Sequence, residues 1–263
     1  MRTETVLPSW PTPPATAPWR AFRGLFAFLW TEVLVQAHEE LATATAMVTQ
    51  SVLLVFVWIL DPGLLGVALV GAVIFSTFAM GQRVLNEAAY IRIDHKANDL
   101  YLASPLSPEA YFLGMAGGIL LVYATPVAVM GVLAVTIAHL TLAEGLLLVA
   151  LAGAVWVCAA SIGYVFSTFF RDNRAIWAYS SLFFNVFGVL PPVFYPLGLF
   201  PAALRPVALL MPPSAAAALM QGAIGAASLT PGDILLAGGG LGVEAVALFA
   251  FAIYWARRTV RGV

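Results

Sequence analysis

The chain has 263 residues, of which 62 % are hydrophobic and only 10 % are charged. A soluble globular domain has about a quarter of its residues charged, so this composition excludes an ordinary soluble domain and indicates a protein with several membrane spans. The net charge of −1 argues against a nucleic-acid partner, and the single cysteine, Cys158, excludes an internal disulfide.

Residues 1–18 contain five prolines and no apolar run of the length that a signal peptide requires. We therefore predict a disordered cytoplasmic tail here, followed by one membrane domain over residues 19–263.

Residues 19–40 have apolar side chains at helical spacing, from Phe22 through Leu25, Phe26 and Leu29 to Val33. This periodicity predicts an amphipathic helix that lies along the inner membrane surface. Its partly acidic polar face favours a protein partner over anionic lipid. The polar residues of this interfacial helix are Arg20, Arg23, Glu32, Gln36, Glu39 and Glu40.

A helix needs about 20 apolar residues to cross the hydrocarbon core of a bilayer. Six stretches qualify, and we predict spans at 41–60, 63–82, 111–137, 146–170, 175–194 and 234–256. Only Asp61, Pro62 and Gly63 separate the first two spans, which predicts a tight turn. The fold class is therefore an all-α membrane protein with six transmembrane helices.

The basic residues fix the orientation of these spans, because Lys and Arg favour the cytoplasmic side. With the N-terminus inside, 11 of the 12 basic residues lie on the inner side and only Arg205 lies outside. Both termini are therefore predicted to be cytoplasmic.

The stretch after the fifth span is apolar but contains six prolines between Pro196 and Pro231. It is too broken for a span and too apolar for an exposed loop. We predict an outer re-entrant segment, formed by short helices that are covered by protein.

A charged segment connects the second and third spans, with seven charged residues between Arg83 and Glu109. Residues 86–103 are predicted to form a short polar helix parallel to the membrane. Pro105 and Pro108 interrupt this helix, and Ser107-Pro108-Glu109 is typical of the start of the next one, with proline at the first helical position.

Catalytic motifs are not found in the sequence. A Walker A loop needs a lysine after its glycines, and the only lysine, Lys96, has no glycine near it. His38, His95 and His139 lack metal-ligand spacing, and no G-x-S-x-G motif occurs. We predict that this chain is not an enzyme and carries no metal.

Glu244 lies near the centre of the last predicted span, where a charged carboxylate costs roughly 2.5–3.5 kcal/mol. It is either a gating carboxylate or a protonated packing residue. Two G-x-x-x-G patterns, at 114–118 and 238–242, have the spacing of close helix contacts.

The order of these parts resembles the membrane subunits of type-2 ABC exporters. The shared features are the amphipathic inner helix, the tight turn between the first spans, and the charged inner loop that runs into "LASPLSPEAYFLG". In addition, "PPVFYPLGLFP" is similar to the family pattern P-x-x-F/Y-Y-P-x-x-x-x-P. The resemblance covers residues 19–261.

This resemblance implies a homodimer, or a dimer with a related subunit, assembled with two separate ATP-binding cassette subunits that bind ATP and Mg²⁺. It implies no cofactor in this chain. The inner loop would be a coupling helix over residues 94–105 that sits in a groove of the ATPase. The residues expected to contact the ATPase are Asp94, Asp99, Leu100, Ser104 and Pro105.

The substrate would pass between the two permease copies, near the second and fifth spans. Apolar side chains there favour a hydrophobic or amphipathic substrate, such as a drug-like compound, a lipid or a lipid-linked glycan. The candidate path residues are Phe183, Phe184, Asn185, Phe187 and Tyr195.

The expected function is that of a permease subunit of an ATP-driven exporter in the cytoplasmic membrane. Two alternatives stay open at this point. One is an ion- or proton-coupled secondary transporter that uses Glu244, and the other is a non-transporting membrane assembly subunit.

Overall fold

The computed structural model describes residues 26–34 without 28 and 32, residues 51–93 without 53, and residues 107–260. Within these ranges every regular element is a helix. The α-helices are α1 (Leu65–Ile93), α2 (Pro108–Ile137), α3 (Leu142–Ser167), α4 (Asn173–Val189), α5 (Arg205–Leu209), α6 (Pro212–Ala223), α7 (Pro231–Ile234) and α8 (Gly240–Val260). Short 3₁₀ turns occur at Pro62–Leu64, Leu197–Leu199 and Ala202–Leu204, and a π-helical turn at Leu235–Gly239 joins α7 to α8.

Four helical stretches in the described residues are long and apolar enough to cross a membrane: Pro62–Ile93, Pro108–Ile137, Leu142–Ser167 and Pro231–Arg258. A fifth is obtained if Ala202–Leu209 and Pro212–Ala223, which are bent by 108° relative to each other, are counted as one broken span; counted as a re-entrant loop, the pair adds none. The chain is therefore a multi-pass membrane protein. The first predicted span, 41–60, is described only from residue 51 onward, so the six-span count stays a prediction.

Asp61 forms the turn between the first two predicted spans. Its side chain accepts a hydrogen bond of 2.9 Å from the amide of Gly63, and its own amide donates to the carbonyl oxygen of Val57 at 2.8 Å. Pro62 then occupies the first helical position, where a missing N–H has no cost.

Helix α1 is the central element, because it packs against α2, α3 and α4. It crosses α3 at Gly81 and Gly163, where the absence of side chains lets the backbones of the two helices touch. A Cβ on Gly81 would lie 2.5 Å from the carbonyl oxygen of Ala159, and a Cβ on Gly163 would collide with the carbonyl oxygen of Gly81. The two G-x-x-x-G patterns are not the sites of this contact, and a Cβ on Gly242 would meet no atom within 4 Å.

The second predicted span is shorter than the helix that contains it. Helix α1 continues from residue 82 to Ile93, so residues 86–93 belong to this helix and not to a separate surface helix as predicted. The reason is that Val84, Leu85, Ala88 and Ala89 remain buried and keep the helical period of the apolar face.

The fifth predicted span also has different bounds. Helix α4 ends at Val189, five residues before the predicted end at 194, and Pro191 and Pro192 follow in an irregular segment. Proline has no N–H to continue the helix and restricts the residue before it. With 17 residues, α4 is shorter than the roughly 20 residues that span a bilayer.

Of the predicted amphipathic helix at 19–40, the structure describes only residues between 26 and 34, and these are helical. Leu29 packs over Gly117 of α2, where a Cβ would lie 3.0 Å from the Leu29 Cδ1 atom. Phe26, Trp30 and Leu34 are exposed. The six polar residues predicted for this helix, Arg20, Arg23, Glu32, Gln36, Glu39 and Glu40, lie outside the described residues.

Candidate functional site

Four of the described basic residues, Arg92, Arg171, Arg257 and Arg258, lie at one end of the helical bundle, which we call the basic end. Helices α1, α3 and α8 finish here, and α2 and α4 begin here. Residues 94–106, the connecting segment, join α1 to α2 at this end. The positive-inside pattern predicts that the basic end faces the cytoplasm.

Arg92, in the last turn of α1, binds the carboxyl end of α3. Its Nη2 atom donates to the carbonyl oxygen of Phe170 at 2.6 Å and to that of Ser167, and its Nη1 atom donates to that of Thr168 at 3.4 Å. The last carbonyl groups of a helix have no intrahelical donor, and a cation is favoured there by the helix dipole. Arg92 therefore joins the end of α1 to the end of α3.

Glu109, in the first turn of α2, forms an ion pair with Arg257 in the last turn of α8. Ser107 caps the same helix start by accepting a hydrogen bond of 3.2 Å from the amide of Ala110, and Pro108 occupies the first helical position as predicted. The negative charge of Glu109 is also favoured by the dipole at this helix end. The start of α2 is thus joined to the end of α8.

Aromatic side chains fill the space between these two junctions. Phe112 of α2 packs against Tyr164 of α3 with ring centroids 4.8 Å apart and against Phe249 of α8 at 6.3 Å. The indole N–H of Trp255 donates a hydrogen bond of 3.0 Å to the Thr168 hydroxyl. Helices α1, α2, α3 and α8 therefore form one packed unit at the basic end.

The connecting segment is consequently attached at both flanks. Arg92 fixes the flank on α1 to α3, and Glu109 fixes the flank on α2 to α8. The five residues predicted to contact an ATPase, Asp94, Asp99, Leu100, Ser104 and Pro105, lie within this segment and outside the described residues.

The candidate path residues on α4 lie in different environments. Phe184 is buried and packs against Phe78 of α1 at 5.1 Å between ring centroids, so it contributes to helix packing. Phe183 contacts Phe187 at 4.6 Å, and Phe187 is exposed. Asn185 is exposed, and its side-chain amide donates to the Ser181 carbonyl oxygen at 2.8 Å. The assignment of a path along α4 stays a prediction.

Tyr195 and the irregular segment 190–196 are held at the opposite end of the bundle. The Tyr195 hydroxyl donates a hydrogen bond of 2.8 Å to the Leu190 carbonyl oxygen, and burial raises the pKa of this phenol. Val193 packs closely against Gly71 of α1. A Cβ on Gly71 would collide with the carbonyl oxygen of Val193.

Gln221 of α6 is the main polar contact to this segment. Its side-chain oxygen accepts from the amide of Leu197 at 2.9 Å, and its side-chain nitrogen donates to the carbonyl oxygens of Tyr195 at 3.0 Å and Pro192 at 3.2 Å. The residue is only 1 % exposed, so these bonds satisfy backbone groups that water does not reach. Gln221 therefore joins α6 to the irregular segment that follows α4.

Glu244 lies in the first half of α8, partly buried, and its Oε2 atom has no hydrogen-bond partner among the described residues. It makes no ion pair in the described part of the chain. The position matches the mid-span location predicted from the sequence.

Three of these contacts were not predicted from the sequence: Arg92 with α3, Glu109 with Arg257, and Gln221 with Leu197. Each joins residues that are 24 or more positions apart, so no local periodicity reveals it. A signal did exist for Gln221, because it is a single amide within the apolar run "SAAAALMQGA", and a buried amide requires partners.

A family model described as "ABC-2 family transporter protein" matches residues 59–254 of the chain. The comparison with curated proteins finds no match.

Proposed function

The chain belongs to the ABC-2 family of transporter proteins, and on this premise we propose that it is the permease subunit of an ATP-driven exporter in the cytoplasmic membrane. Permeases of this family are the membrane components of ABC transporters and are not themselves catalytic. They generally work with an ATP-binding subunit. In our proposal two such subunits bind ATP and Mg²⁺, and both termini of this chain are cytoplasmic.

The observation that supports ATP-driven movement most strongly is the attachment of both flanks of the connecting segment. Arg92 and Glu109 lie 17 positions apart in sequence, on either side of residues 94–106, and each binds a different helix. The arrangement suits a segment on which another protein exerts force.

The proposed cycle begins when ATP closes the two ATP-binding subunits against each other. Each of them carries one connecting segment with it, through contacts at Asp94, Asp99, Leu100, Ser104 and Pro105. Arg92 then transmits the displacement to α1 and α3, and Glu109 transmits it to α2 and α8. Because packed helices move as rigid bodies, the interface between two permease copies would open toward the opposite end of the bundle.

The exposed surface of α4 supports our proposal that the permease is a homodimer. Tyr179, Leu182 and Val186 of α4, with Leu190 just after its last residue, are all exposed and follow one another at intervals of three or four residues. They form an apolar stripe along one face of the helix. We propose that α4 faces its counterpart in a homodimer, with the substrate passing between the two copies.

The proposed substrate is hydrophobic or amphipathic. Exposed apolar and weakly polar side chains, including Phe187 and Asn185, lie on or beside the α4 stripe. Few charged groups occur in the membrane-spanning helices, so a charged polar substrate would have little to replace its water. Drug-like compounds, lipids and lipid-linked glycans all satisfy this description.

One observation favours a second candidate function, an ion- or proton-coupled secondary transporter. The unpartnered Oε2 atom of Glu244 within a membrane-spanning helix is the kind of group that binds and releases a proton. The two candidates differ in their energy source. ATP drives the first, and an ion gradient drives the second.

Proteoliposomes that contain the chain and its co-purified ATP-binding subunit distinguish these functions. We expect a fluorescent amphipathic dye to move only when ATP is present and to continue moving after the proton gradient is collapsed. Asp99→Arg should abolish movement, whereas Glu244→Gln should leave it unchanged. Movement that requires a proton gradient, ignores ATP and fails in Glu244→Gln would establish the secondary transporter instead.

A further inference from the structure

A groove about 560 Å³ in volume lies between α2 and α3, with α1 as its floor. Helices α2 and α3 each pack extensively against α1 but hardly touch each other. The groove is lined by residues between Val73 and Met80 of α1, between Leu120 and Thr136 of α2, and between Gly145 and Trp156 of α3. It occupies the half of the bundle next to the turn between α2 and α3, and its volume is within the range typical of ligand pockets.

Glycines make the walls of the groove recessed. A Cβ on Gly131 of α2, or on Gly145 or Gly153 of α3, would meet no atom within 4 Å. These glycines are therefore not needed for close helix packing, unlike Gly81 and Gly163, where backbones touch. They leave open volume in the groove that any larger side chain would occupy.

The two hydroxyl groups that line the groove already donate hydrogen bonds within their own helices. The Thr77 hydroxyl donates to the Val73 carbonyl oxygen and the Thr136 hydroxyl to the Val132 carbonyl oxygen, both at 2.8 Å. Nearly all other lining residues are aliphatic, alanine or glycine. A polar headgroup or a soluble polar ligand would lose its water here without replacement, whereas a hydrocarbon chain would lose nothing.

The groove is continuous with the surface that faces the membrane. Val132 and Val135 on one wall and Val149 on the other are 61 %, 43 % and 70 % exposed, and both walls belong to membrane-spanning helices. The neighbouring side chains Leu121 and Leu146 are exposed as well. The medium on this side of the protein is the hydrocarbon core of the bilayer, so its molecules have direct lateral access to the groove.

We propose that this groove is a binding site for one acyl chain of a bilayer phospholipid. The chain enters sideways between α2 and α3, rests on α1 and leaves its headgroup at the membrane surface near the turn at residues 138–141. Occupancy fills the space between two helices that are joined to different neighbours at the basic end.

The test uses the full chain in phosphatidylcholine vesicles that contain a phospholipid with a photoactivatable diazirine near the end of one acyl chain. After illumination, labelled peptides are mapped by mass spectrometry. We expect labelling to concentrate on residues 124–136 and 145–156. Gly153→Leu and Gly131→Leu, which fill the groove from opposite walls, should each reduce this labelling about tenfold, equivalent to about 1.4 kcal/mol of binding free energy.

Gly242→Leu is the matched control, because Gly242 is also a membrane-helix glycine with open space around it but lies outside the groove. It should leave the groove labelling unchanged, and thermal unfolding should show that all three variants fold. Labelling spread evenly over the exposed helix faces, or equal labelling in the filled variants, would overturn the proposal. A photoreactive residue at position 132 that cross-links to protein in place of lipid would also overturn it, since a protein segment would then occupy the groove.

Discussion

The guanidinium of Arg92 donates a hydrogen bond of 2.6 Å to the carbonyl oxygen of Phe170, and this bond joins the last turn of α1 to the peptide that follows α3. The same side chain also binds the carbonyl oxygens of Ser167 and Thr168. One cation thus pairs with three carbonyl groups at and just beyond the end of α3, where no intrahelical donor is available. The contact lies immediately before the segment through which we propose that another subunit acts.

Replacement of Arg92 should weaken both stability and coupling. Arg92→Gln removes the charge and the forked donor, so we expect the free energy of unfolding to fall by about 1.5–3 kcal/mol, the range for hydrogen bonds to charged groups. Arg92→Lys should recover part of this loss, because an ammonium keeps the charge but not the planar fork. ATP-dependent dye movement should decrease while the ATP-binding subunit still co-purifies.

Arg258→Gln provides the control for Arg92, because Arg258 is an exposed cation at the same end of the bundle. Its effect on unfolding should stay within a few tenths of a kcal/mol, as for most surface changes. Equal effects of the two substitutions would contradict a specific role for Arg92.

Charge exchange tests the pair between Glu109 and Arg257. Because the Arg257 side chain is 58 % exposed, the coupling energy should be at most about 1 kcal/mol, measured by a double-mutant cycle of thermal unfolding. Glu109→Arg alone should reduce both stability and transport. Adding Arg257→Glu should restore only part of each, because an arginine in the first turn of α2 opposes the helix dipole. No recovery at all would show that the ion pair does not join α2 to α8.

The hydrogen bonds of the Gln221 side-chain amide should contribute more to stability than the volume of the side chain does. Gln221→Met keeps the approximate volume but leaves the amide of Leu197 and the carbonyl oxygens of Pro192 and Tyr195 unpaired. Since each buried unpaired group costs about 1–3 kcal/mol, we expect a loss of at least about 2 kcal/mol in thermal unfolding. Gln82→Met is the comparison, because Gln82 makes one long bond of 3.4 Å to Ser180, and its effect should be smaller. Similar losses in both variants would be inconsistent with our account of Gln221.

Alanine substitutions at two glycines should change stability in opposite directions. Gly163→Ala places a methyl group against the Gly81 carbonyl oxygen, so α1 and α3 must separate, at a cost of about 1–3 kcal/mol. Gly242→Ala meets no neighbouring atom and gains helix propensity, up to about 1 kcal/mol relative to glycine. Unfolding temperatures of the two variants should therefore lie on either side of the parent protein. A stable Gly163→Ala variant would contradict close packing at this crossing.

Much of the fold follows from local properties of the sequence. Long apolar runs predict the spans because a bilayer requires a minimum helix length, and Ser107 with Pro108 correctly predicts the start of α2. The extension of α1 to Ile93 was not predicted, because charged residues there suggested a boundary while the buried face of the helix continued. The end of α4 could have been placed at Val189 by giving Pro191 more weight than hydropathy.

The candidate site is less accessible to sequence reasoning. Charge placement alone identifies the basic end and the connecting segment, and Glu109 at a helix start is recognisable from its neighbours. The partners of Arg92 and Glu109 are not recognisable, because they are 75 or more positions away in the chain. Such contacts depend on how the helices pack. The spacing of glycines in the sequence does not tell which of them, such as Gly163, lie at a close helix contact.

The central claim is that a separate ATP-binding subunit moves this permease through the connecting segment. The most direct measurement is photo-cross-linking from a benzoylphenylalanine introduced at position 99 of the full chain, purified from its native membrane, with the same residue at position 199 as the control. Leu199 is exposed at the opposite end of the bundle. Our account predicts a cross-link from position 99, and none from position 199, to a protein that carries a Walker A motif. A complex that moves substrate but gives no such cross-link from position 99 would contradict it.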